Sequence, residues 1–433
     1  MGYKSMGYKF FETKRKDEFD LVCQKYPSAP RTFLLKADLL RRGLKPTQAA
    51  MEKLQDPYYE HCPEVLFQWH HEDRTTSYKV PGPYYLNDGT CVWFILSPPP
   101  FDPYTLDLVN DEFWILSDEE PLEEVHFSKK PEYYDKMTAS GVPMQKVANL
   151  GGPDLFYICQ SRHCHSWNEG LQCKFCDMDY NAKHQLKMGR GFKVRITPEE
   201  IYETTCEALK EKGRWRFIFF TGGADPRDGY ERELQYNISL IEAMTKAGKE
   251  ILGMDRLPLN IIMAPLEVEQ YRRLYEAGIS GFGSYIEVWD KEKWKLTCPG
   301  KEKHIGYDKW IEKTLKAVDI FGEGNVVCGF VSGIEMAPPP YGFEDIDEAV
   351  NSSLTGYDFM LKNGIVPVGT QWSVMPGTEF YNMGATPPPL EFYAKLDIGR
   401  YELMKKYGRE VLAHQWYYKH QPLATHVDWL RLL

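Results

Sequence analysis

The second half of the sequence alternates short apolar runs with amphipathic segments of helical length, six times over about 250 residues. The predicted strands are Leu155–Cys159, Trp215–Phe220, Leu259–Met263, Gly283–Trp289, Asn325–Val331 and Ile365–Gly369. The predicted helices lie at 198–212, 230–247, 266–277, 307–321, 345–363 and 388–407. This alternation predicts a parallel α/β architecture, either a partial or complete (β/α) barrel of the TIM type or a doubly wound sheet. In both, ligands bind at the carboxyl ends of the strands.

Local signals mark the ends of these helices. Thr197 and Glu200 are spaced as a capping box around Pro198, which occupies the first helical position. Glycines are expected to stop four of the helices, because glycine adopts the left-handed conformation that ends a helix. These are Gly248, Gly278, Gly322 and Gly364.

The first part of the chain follows a different pattern. Residues 31–43 and 46–56 predict helices, whereas the apolar runs CVWFIL and EFWILS within 83–118 predict a small antiparallel sheet. We therefore expect an N-terminal α+β region at 1–150, acting as a cap or a partner-binding region. A barrel core at 151–385 and a C-terminal helical extension at 386–433 follow it.

Composition narrows the functional class. A net charge of -10 argues against a nucleic-acid surface, because phosphate binding requires clustered Lys and Arg. No apolar run approaches the ~20 residues that span a bilayer, and the sequence begins without the apolar segment of a signal peptide. We therefore expect a cytoplasmic protein with no membrane partner, whose ten cysteines are reduced.

Four of the cysteines, Cys159, Cys164, Cys173 and Cys176, lie within eighteen residues that begin at the end of the first predicted strand. Thiolates at short spacing select zinc, copper(I) or iron–sulfur clusters. Four-cysteine zinc sites usually pair two Cys-x-x-Cys knuckles, and this stretch holds one. A redox dithiol would leave Cys164 without a role. The position on the ligand-binding face of the sheet favours a working iron–sulfur cluster, with a zinc site as the alternative.

The segment CHSWNEGLQCKFCD resembles the cluster loop of the radical S-adenosylmethionine (radical SAM) superfamily, whose pattern is Cys-x3-Cys-x-aromatic-Cys. The run from Cys173 to Cys176 matches the second half of the pattern, with Phe175 as its aromatic residue. Eight residues rather than three separate Cys164 from Cys173. The resemblance implies that Cys164, Cys173 and Cys176 hold a [4Fe-4S] cluster. Cys159 closes an apolar strand and is expected to be a buried small hydrophobe.

Later segments are similar to SAM-binding motifs of the same superfamily, in family order. TGGADP resembles the Gly-Gly-Glu-Pro motif that binds the methionyl amino group, which implies roles for Gly222, Gly223 and Asp225. SYIEVWD, on the fourth predicted strand, resembles the biotin-synthase-like branch, with Glu287 as the residue that bonds SAM.

Two further segments extend this likeness. The run from TCPGK through a helix to VVCGFVSGIE resembles the corresponding run of that branch and places Ser332, Gly333 and Glu335 beside the adenosine. QWSVMPGTEF resembles the turn that lines the adenine pocket and implies Gln371 and Val374.

The resemblance implies an enzyme that cleaves SAM reductively to a 5′-deoxyadenosyl radical, with electrons from a donor such as flavodoxin or ferredoxin. The radical would abstract hydrogen from a small molecule and lead to rearrangement, ring formation or cleavage in cofactor or natural-product biosynthesis. A nucleic acid or a protein side chain is the alternative substrate. Outside this class, the alternative is a zinc-stabilised α/β binding or hydrolytic protein.

Overall fold

The structure, a computed structural model, describes residues 13–55, 63–65, 79–97, 101–187, 193–409 and 421–424. The helices are α1 (Arg15–Lys25), α2 (Arg31–Arg42), α3 (Gln48–Gln55), α4 (His165–Asn168), α5 (Met178–Lys187), α6 (Pro198–Leu209), α7 (Glu231–Leu252), α8 (Val268–Ala277), α9 (Lys291–Thr297), α10 (Pro299–His304), α11 (Tyr307–Phe321), α12 (Ile346–Lys362), α13 (Glu379–Asn382) and α14 (Leu390–Lys406). The strands are β1 (Leu44–Pro46), β2 (Pro63–Val65), β3 (Lys79–Pro81), β4 (Pro83–Leu86), β5 (Cys91–Trp93), β6 (Tyr104–Val109), β7 (Glu112–Ser117), β8 (Glu120–Phe127), β9 (Asn149–Leu150), β10 (Leu155–Cys159), β11 (Phe217–Thr221), β12 (Leu259–Ile262), β13 (Gly281–Gly283), β14 (Val326–Ser332) and β15 (Val366–Gln371).

The larger sheet is the wall of a partial barrel. Its seven strands have the order β15-β14-β13-β12-β11-β10-β9, and β10 to β15 pair in parallel with their neighbours in sequence. A doubly wound sheet would reverse its strand order at a switch point, whereas a barrel adds strands in sequence. β9 pairs antiparallel to β10, so β9 and β15 are the two edges of an open wall. The predicted barrel-type fold is confirmed in its partial form.

The predicted fourth strand is wrong in its position. The strand is Gly281–Gly283, and the segment that follows it pairs with β14 through a single bridge between Glu287 and Phe330. Glu287 has a φ of 70°, in the left-handed region that a regular strand excludes. This conformation interrupts the strand pairing, and Ile286 and Val288 are buried in an irregular segment rather than in a regular strand.

The expected helix stop at Gly248 is also wrong. Helix α7 continues to Leu252 and ends at Gly253, whose φ is 69°. Gly248 lies inside the helix, where an added Cβ would stand 2.7 Å from Cγ of Leu257. Close packing of helix against chain, rather than helix termination, explains this glycine. The capping box at Thr197 is confirmed, with both of its hydrogen bonds to Glu200 present.

The N-terminal region contains a second sheet of six strands in the order β1-β6-β7-β8-β4-β5. Its pairs are antiparallel except for β1 with β6. Helix α2 joins this region to the barrel, because it packs on both α14 and β5. Buried side chains of α2 belong to the same continuous apolar cluster as those of the barrel.

Helix α2 also carries a buried network of charges. Arg41 and Arg42 are fully buried, and both pair with Glu18 of α1, at 3.0 Å and 2.6 Å. Asp38 pairs with both arginines and accepts a hydrogen bond from the Tyr104 hydroxyl at 2.8 Å. Because each charge has a partner of opposite sign, the network can lie out of water.

The network reaches the barrel through backbone groups. The Arg41 guanidinium donates to the carbonyl of Pro388 at 2.7 Å, and the backbone N–H of Leu390 donates to Glu18 at 2.7 Å. Both acceptor and donor lie at the start of α14, so the network fixes α1 and α2 against that helix.

Every helix within the described residues is too short or too polar to span a lipid bilayer.

The substitution Arg41→Ala should destabilise the protein by about 3–5 kcal/mol, because it leaves buried carboxylates without their partner. Urea unfolding followed by circular dichroism measures this. Arg272→Ala is the matched control, since the Arg272 side chain is 57% exposed and pairs with an exposed glutamate. The control should unfold at the wild-type urea concentration, and equal loss in both variants would contradict the role of the network.

Candidate active site

Three of the four clustered cysteines line one cavity at the carboxyl ends of the barrel strands. Cys164 precedes α4, and Cys173 and Cys176 lie in the turn between α4 and α5. All three line a cavity of about 200 Å³, together with Phe175. The fold therefore brings Cys164 to the same cavity as Cys173 and Cys176, although eight residues separate it from Cys173 in the sequence.

Cys159 does not line this cavity. It is the last residue of β10, and its thiol points to the carbonyl of Ser161 at 3.7 Å. Burial raises the pKa of the Cys159 thiol. The assignment of Cys164 rather than Cys159 as the first ligand stays a prediction.

The loop that carries the cysteines is held by the turn after β11. The N–H of Gly223 donates to the carbonyl of Ser161 at 2.9 Å, and the N–H of His165 donates to the carbonyl of Ala224 at 2.8 Å. Two parallel strands thus continue their hydrogen bonding into the loops beyond them. The glycine-rich turn supports the cysteine loop directly.

This contact explains why glycines stand at the predicted positions. A Cβ at Gly223 would lie 2.2 Å from the carbonyl oxygen of His163, and a Cβ at Gly222 would lie 2.8 Å from that of Ser161. Real Cβ atoms do not approach backbone oxygens so closely. Both glycines also line the cavity, so they allow close approach on two sides.

The segment between α9 and α10 holds the other side of the loop. Lys174 donates its N–H to the carbonyl of Thr297 at 2.9 Å, and Gly300 donates to the carbonyl of Leu171 at 3.0 Å. A Cβ at Gly300 would lie 2.5 Å from Oγ of Ser166. The sequence TCPGK is therefore a second support for the cysteine loop.

A third support comes from the start of α13. The N–H of Glu379 donates to the carbonyl of Lys174 at 3.0 Å, and its carboxylate pairs with the Lys174 ammonium at 2.5 Å. Gly377, with a φ of 89°, packs directly against the ring of Tyr180. The loop is thus fixed by segments that follow β11, β13 and β15.

One ion pair lies in the cavity wall. The Lys301 ammonium is 2.5 Å from the Glu287 carboxylate, donates to the carbonyl of Tyr285 at 2.6 Å and stands 4.6 Å above the ring of Trp310. Burial lowers the pKa of Lys301, but Glu287 and the nearby thiols of Cys173 and Cys298 outweigh it, so the pKa is raised overall. Lys301 is therefore a permanent positive charge beside the cysteines.

The structure adds a carboxyl group that sequence reasoning missed. Glu233, in the first turn of α7, lines the cavity and is 8% exposed. Burial raises its pKa to about 8, although it accepts a hydrogen bond from the N–H of Asp225 at 2.7 Å. Its signal in the sequence is an acid on the apolar stripe of a helix, since Asn237, Leu240 and Ile241 of α7 are buried with it.

Asp225, the acid predicted from the glycine-rich motif, is oriented differently. Its carboxylate pairs with Arg227, with Nε 2.7 Å from Oδ1, and this contact lowers the pKa of Asp225. Asp225 lines a second cavity of about 640 Å³ on the outer side of the loop. Gly223, Ala224 and Glu233 line both cavities and form the wall between them.

The thiols differ in their electrostatic surroundings. Burial raises the pKa of Cys164 and of Cys176. A hydrogen bond from Cys298, followed by the charge of Lys301, lowers the pKa of Cys173. The buried Cys298 therefore lies beside the site. Its isolated position in the sequence did not indicate this.

The five residues predicted beside the nucleoside are buried but do not line the cavity. Gln371 donates its amide to the carbonyl of Ala37 at 2.7 Å, and Glu335 accepts from the N–H of Gly333 at 2.8 Å and from Ser353. Burial raises the pKa of Glu335 to about 7. The five residues are Ser332, Gly333, Glu335, Gln371 and Val374. Their contact with the adenosine stays a prediction.

The substitution Gly223→Ala should lower the iron bound after anaerobic reconstitution to well below the wild-type content, because the new Cβ displaces the carbonyl of His163 next to Cys164. Gly229→Ala is the control: its φ of 62° costs about 1 kcal/mol of strain, but apart from its chain neighbours no atom of the described residues would lie within 4 Å of the new Cβ. Wild-type iron content in Gly223→Ala would contradict the supporting role of this turn.

Comparisons with known proteins give distant likenesses. No family model matches the chain. Bacteriochlorophyllide c C-7(1)-hydroxylase of Chlorobaculum limnaeum is 23% identical over 257 residues, which are 58% of this chain and 60% of the relative. The chain thus spans less than two thirds of the length of that relative.

The similar solved structures include methylornithine synthase (PylB), at 22% identity, with 57% of this chain and 63% of that chain covered and a TM-score of 0.39. They also include coproporphyrinogen III oxidase (HemN) from Escherichia coli, described as a radical SAM enzyme, at 13% identity, with 61% and 55% covered and a TM-score of 0.35. Radical SAM enzymes use a [4Fe-4S] cluster and SAM. The cysteine triad at the carboxyl edge of an open (β/α) barrel and the glycine-rich turns beside it are the features on which the sequence resemblance to the radical SAM superfamily rests.

Proposed function

We propose that this enzyme cleaves SAM reductively at a [4Fe-4S] cluster held by Cys164, Cys173 and Cys176, and that it uses the resulting radical on a small-molecule substrate. One observation carries the proposal: three cysteines with an unusual spacing line one cavity at the ligand-binding edge of the barrel. When bound, the cluster and SAM supply the 5′-deoxyadenosyl radical that removes hydrogen from a substrate.

We propose that the three thiols hold a cluster of several irons and not a single ion. Each iron of a [4Fe-4S] cluster takes one thiolate, so the ligands surround a volume instead of meeting at a point. Among the described residues, no group of three His, Cys, Asp or Glu side chains is placed to hold a single ion. Three thiolates would leave one iron of such a cluster without a protein ligand, as three protein ligands leave an open position in a catalytic zinc site. We propose that SAM occupies this position.

The chain's charges suit this role. Lys301 lowers the cost of thiolate charge at Cys173, and Glu287 balances the lysine. We propose that the amino group of SAM lies against the wall formed by Gly222, Gly223 and Glu233, with the Glu233 carboxyl accepting a hydrogen bond from it. This role replaces the one predicted for Asp225, whose carboxylate is already paired with Arg227.

Aromatic side chains close the remaining walls. Trp167, Tyr230, Tyr285 and Trp310 line the cavity. Apolar walls exclude water, which protects a reactive intermediate from side reactions. The chain's own task is therefore to orient SAM and to keep the cavity dry.

For the substrate, we propose a small molecule of cofactor or pigment biosynthesis that reacts at a carbon–hydrogen bond. The relative from Chlorobaculum limnaeum, named as a bacteriochlorophyllide c C-7(1)-hydroxylase, supports this class. Electrons would come from a donor such as flavodoxin or ferredoxin.

The substitution Cys164→Ala should abolish 5′-deoxyadenosine formation when the reduced protein is incubated with SAM, because two thiolates do not retain the cluster. Cys159→Ala should spare it, since Cys159 lies outside the cavity. Chromatography of the quenched reaction measures the product, and the opposite pattern would overturn the ligand assignment.

Metal analysis separates this proposal from a structural zinc site. Protein purified without oxygen should be brown and hold about four irons per chain. A colourless protein with one zinc per chain would contradict the proposal.

The contribution of Glu233 to SAM affinity should grow with pH. Below a pKa of about 8 the carboxyl is mainly protonated, and an ionised carboxylate accepts the stronger hydrogen bond. The ratio of SAM affinities between wild type and Glu233→Gln should rise about fivefold from pH 6.5 to pH 8.5. Calorimetric titration at both pH values measures it. Titration of SAM itself affects both proteins equally, so a constant ratio would exclude this role.

A further inference from the structure

Tyr230 stands in the wall of the cysteine cavity with a strained backbone. Its φ of 67° lies in the left-handed region, and among the described residues it is the only aromatic residue there. The other non-glycine residues with a positive φ are Asp, Asn or Glu. Strained conformations of this kind are concentrated at sites of function, where the surrounding structure holds them in place. The conformation of Tyr230 therefore points to a function of its side chain.

The Tyr230 hydroxyl is open to the cavity and lacks a hydrogen-bond partner. The residue is 6% exposed and lines the cavity together with the three thiols. Within the part of the chain that the structure describes, no group donates to this hydroxyl or accepts from it. Its oxygen is not one of the unpartnered atoms that are shielded from contact, so a ligand in the cavity can reach it.

The surroundings make this hydroxyl a neutral donor. It lies within electrostatic range of Glu233, Lys301 and the thiols of Cys164 and Cys173. Burial, followed by the charge of Glu233, raises the pKa of Tyr230, whereas Lys301 lowers it to a smaller extent. The hydroxyl therefore keeps its proton at neutral pH and can donate a hydrogen bond to a ligand beside the thiols.

Two features favour an anionic oxygen as the acceptor. Tyr230 is the residue that precedes α7, a helix of 22 residues, and the N-terminal end of a helix favours negative charge. Burial raises the pKa of Glu233 to about 8, so this wall carries little negative charge that would repel an anion at neutral pH. A hydrogen bond from a hydroxyl to an ionised carboxylate is also stronger than one to a neutral acceptor.

We infer that the Tyr230 hydroxyl donates a hydrogen bond to the methionyl carboxylate of SAM. The inference rests on the proposed function, which places the amino group of SAM against Glu233. Tyr230 and Glu233 are three residues apart at the start of α7, and this spacing makes side chains neighbours on one face of a helix. Together they would hold the carboxylate and the amino group of the same ligand.

The test uses the full-length protein reconstituted without oxygen, with iron content as the check that each variant holds its cluster. Tyr230→Phe removes the hydroxyl and keeps the ring. The variant should bind SAM about tenfold more weakly than wild type in calorimetric titration, because a hydrogen bond to a charged group is lost. Decarboxylated SAM keeps the nucleoside, the sulfonium and the amino group, and it should bind wild type and the variant equally well.

Tyr275→Phe is the matched control. Tyr275 lies on α8, is 42% exposed and does not line the cavity, so this variant should bind both ligands as wild type does.

The outcomes separate the two proposals. If wild type holds the cluster and binds SAM, and Tyr230→Phe binds SAM equally well, the inference fails and the proposed function stands. An equal loss of affinity for SAM and for decarboxylated SAM would also overturn the inference, because the hydroxyl would then contact another part of the ligand. A wild-type protein that holds iron but does not bind SAM would overturn both.

Discussion

The structure of the site depends on how one loop is held. A segment with three thiols and an eight-residue insertion has no geometry of its own, and fixing it costs conformational entropy for every residue. Backbone hydrogen bonds to three separate segments offset this cost. The supporting groups are the N–H of Gly223, the carbonyl of Thr297 and the N–H of Glu379. Because these partners follow different strands of one sheet, the position of the thiols is set by the barrel. The glycines at 222, 223 and 300 are needed for the same reason, since any side chain there would occupy the space of the loop.

The charged side chains of the site are also positioned by the fold. Thiolates are costly in a buried cavity, and Lys301 places a positive charge near Cys173 and Cys298, where it pairs with Glu287. Glu287 reaches this position only because its backbone adopts a φ of 70°, a conformation that costs free energy for a residue with a side chain. Strain at one residue therefore supports the ion pair, and the ion pair supports the charge at Cys173. Glu233 differs from Glu287, because no cation among the described residues forms an ion pair with it and burial raises its pKa to about 8.

Much of this could be predicted from the sequence where local pattern determines structure. Helix α11 has the predicted bounds of 307–321, and β10 has those of Leu155–Cys159, because apolar periodicity and flanking glycines act locally. The fourth strand could not be placed this way: the residues around Glu287 are as apolar as a strand, but Glu287 adopts a left-handed conformation that apolar periodicity does not signal. Glu233 and Cys298 were missed because each lies far in sequence from the loop that it approaches, and spacing carries no information on such contacts.

The N-terminal region shows why pattern alone does not assign a role to a domain. Its helix α2 was predicted from periodicity, yet the arginines at its end are fully buried by partners on other elements. These contacts, together with the hydrogen bond from Gln371 to Ala37, join the region to β15 and α14. The residues that line the cysteine cavity all fall between 164 and 310. Among the described residues, the wall nearest the cysteines is therefore built by the barrel and by the insertion within its first loop, whereas the N-terminal region supports the opposite edge of the sheet. The insertion thus supplies part of the cavity wall from the same segment that carries the three thiols.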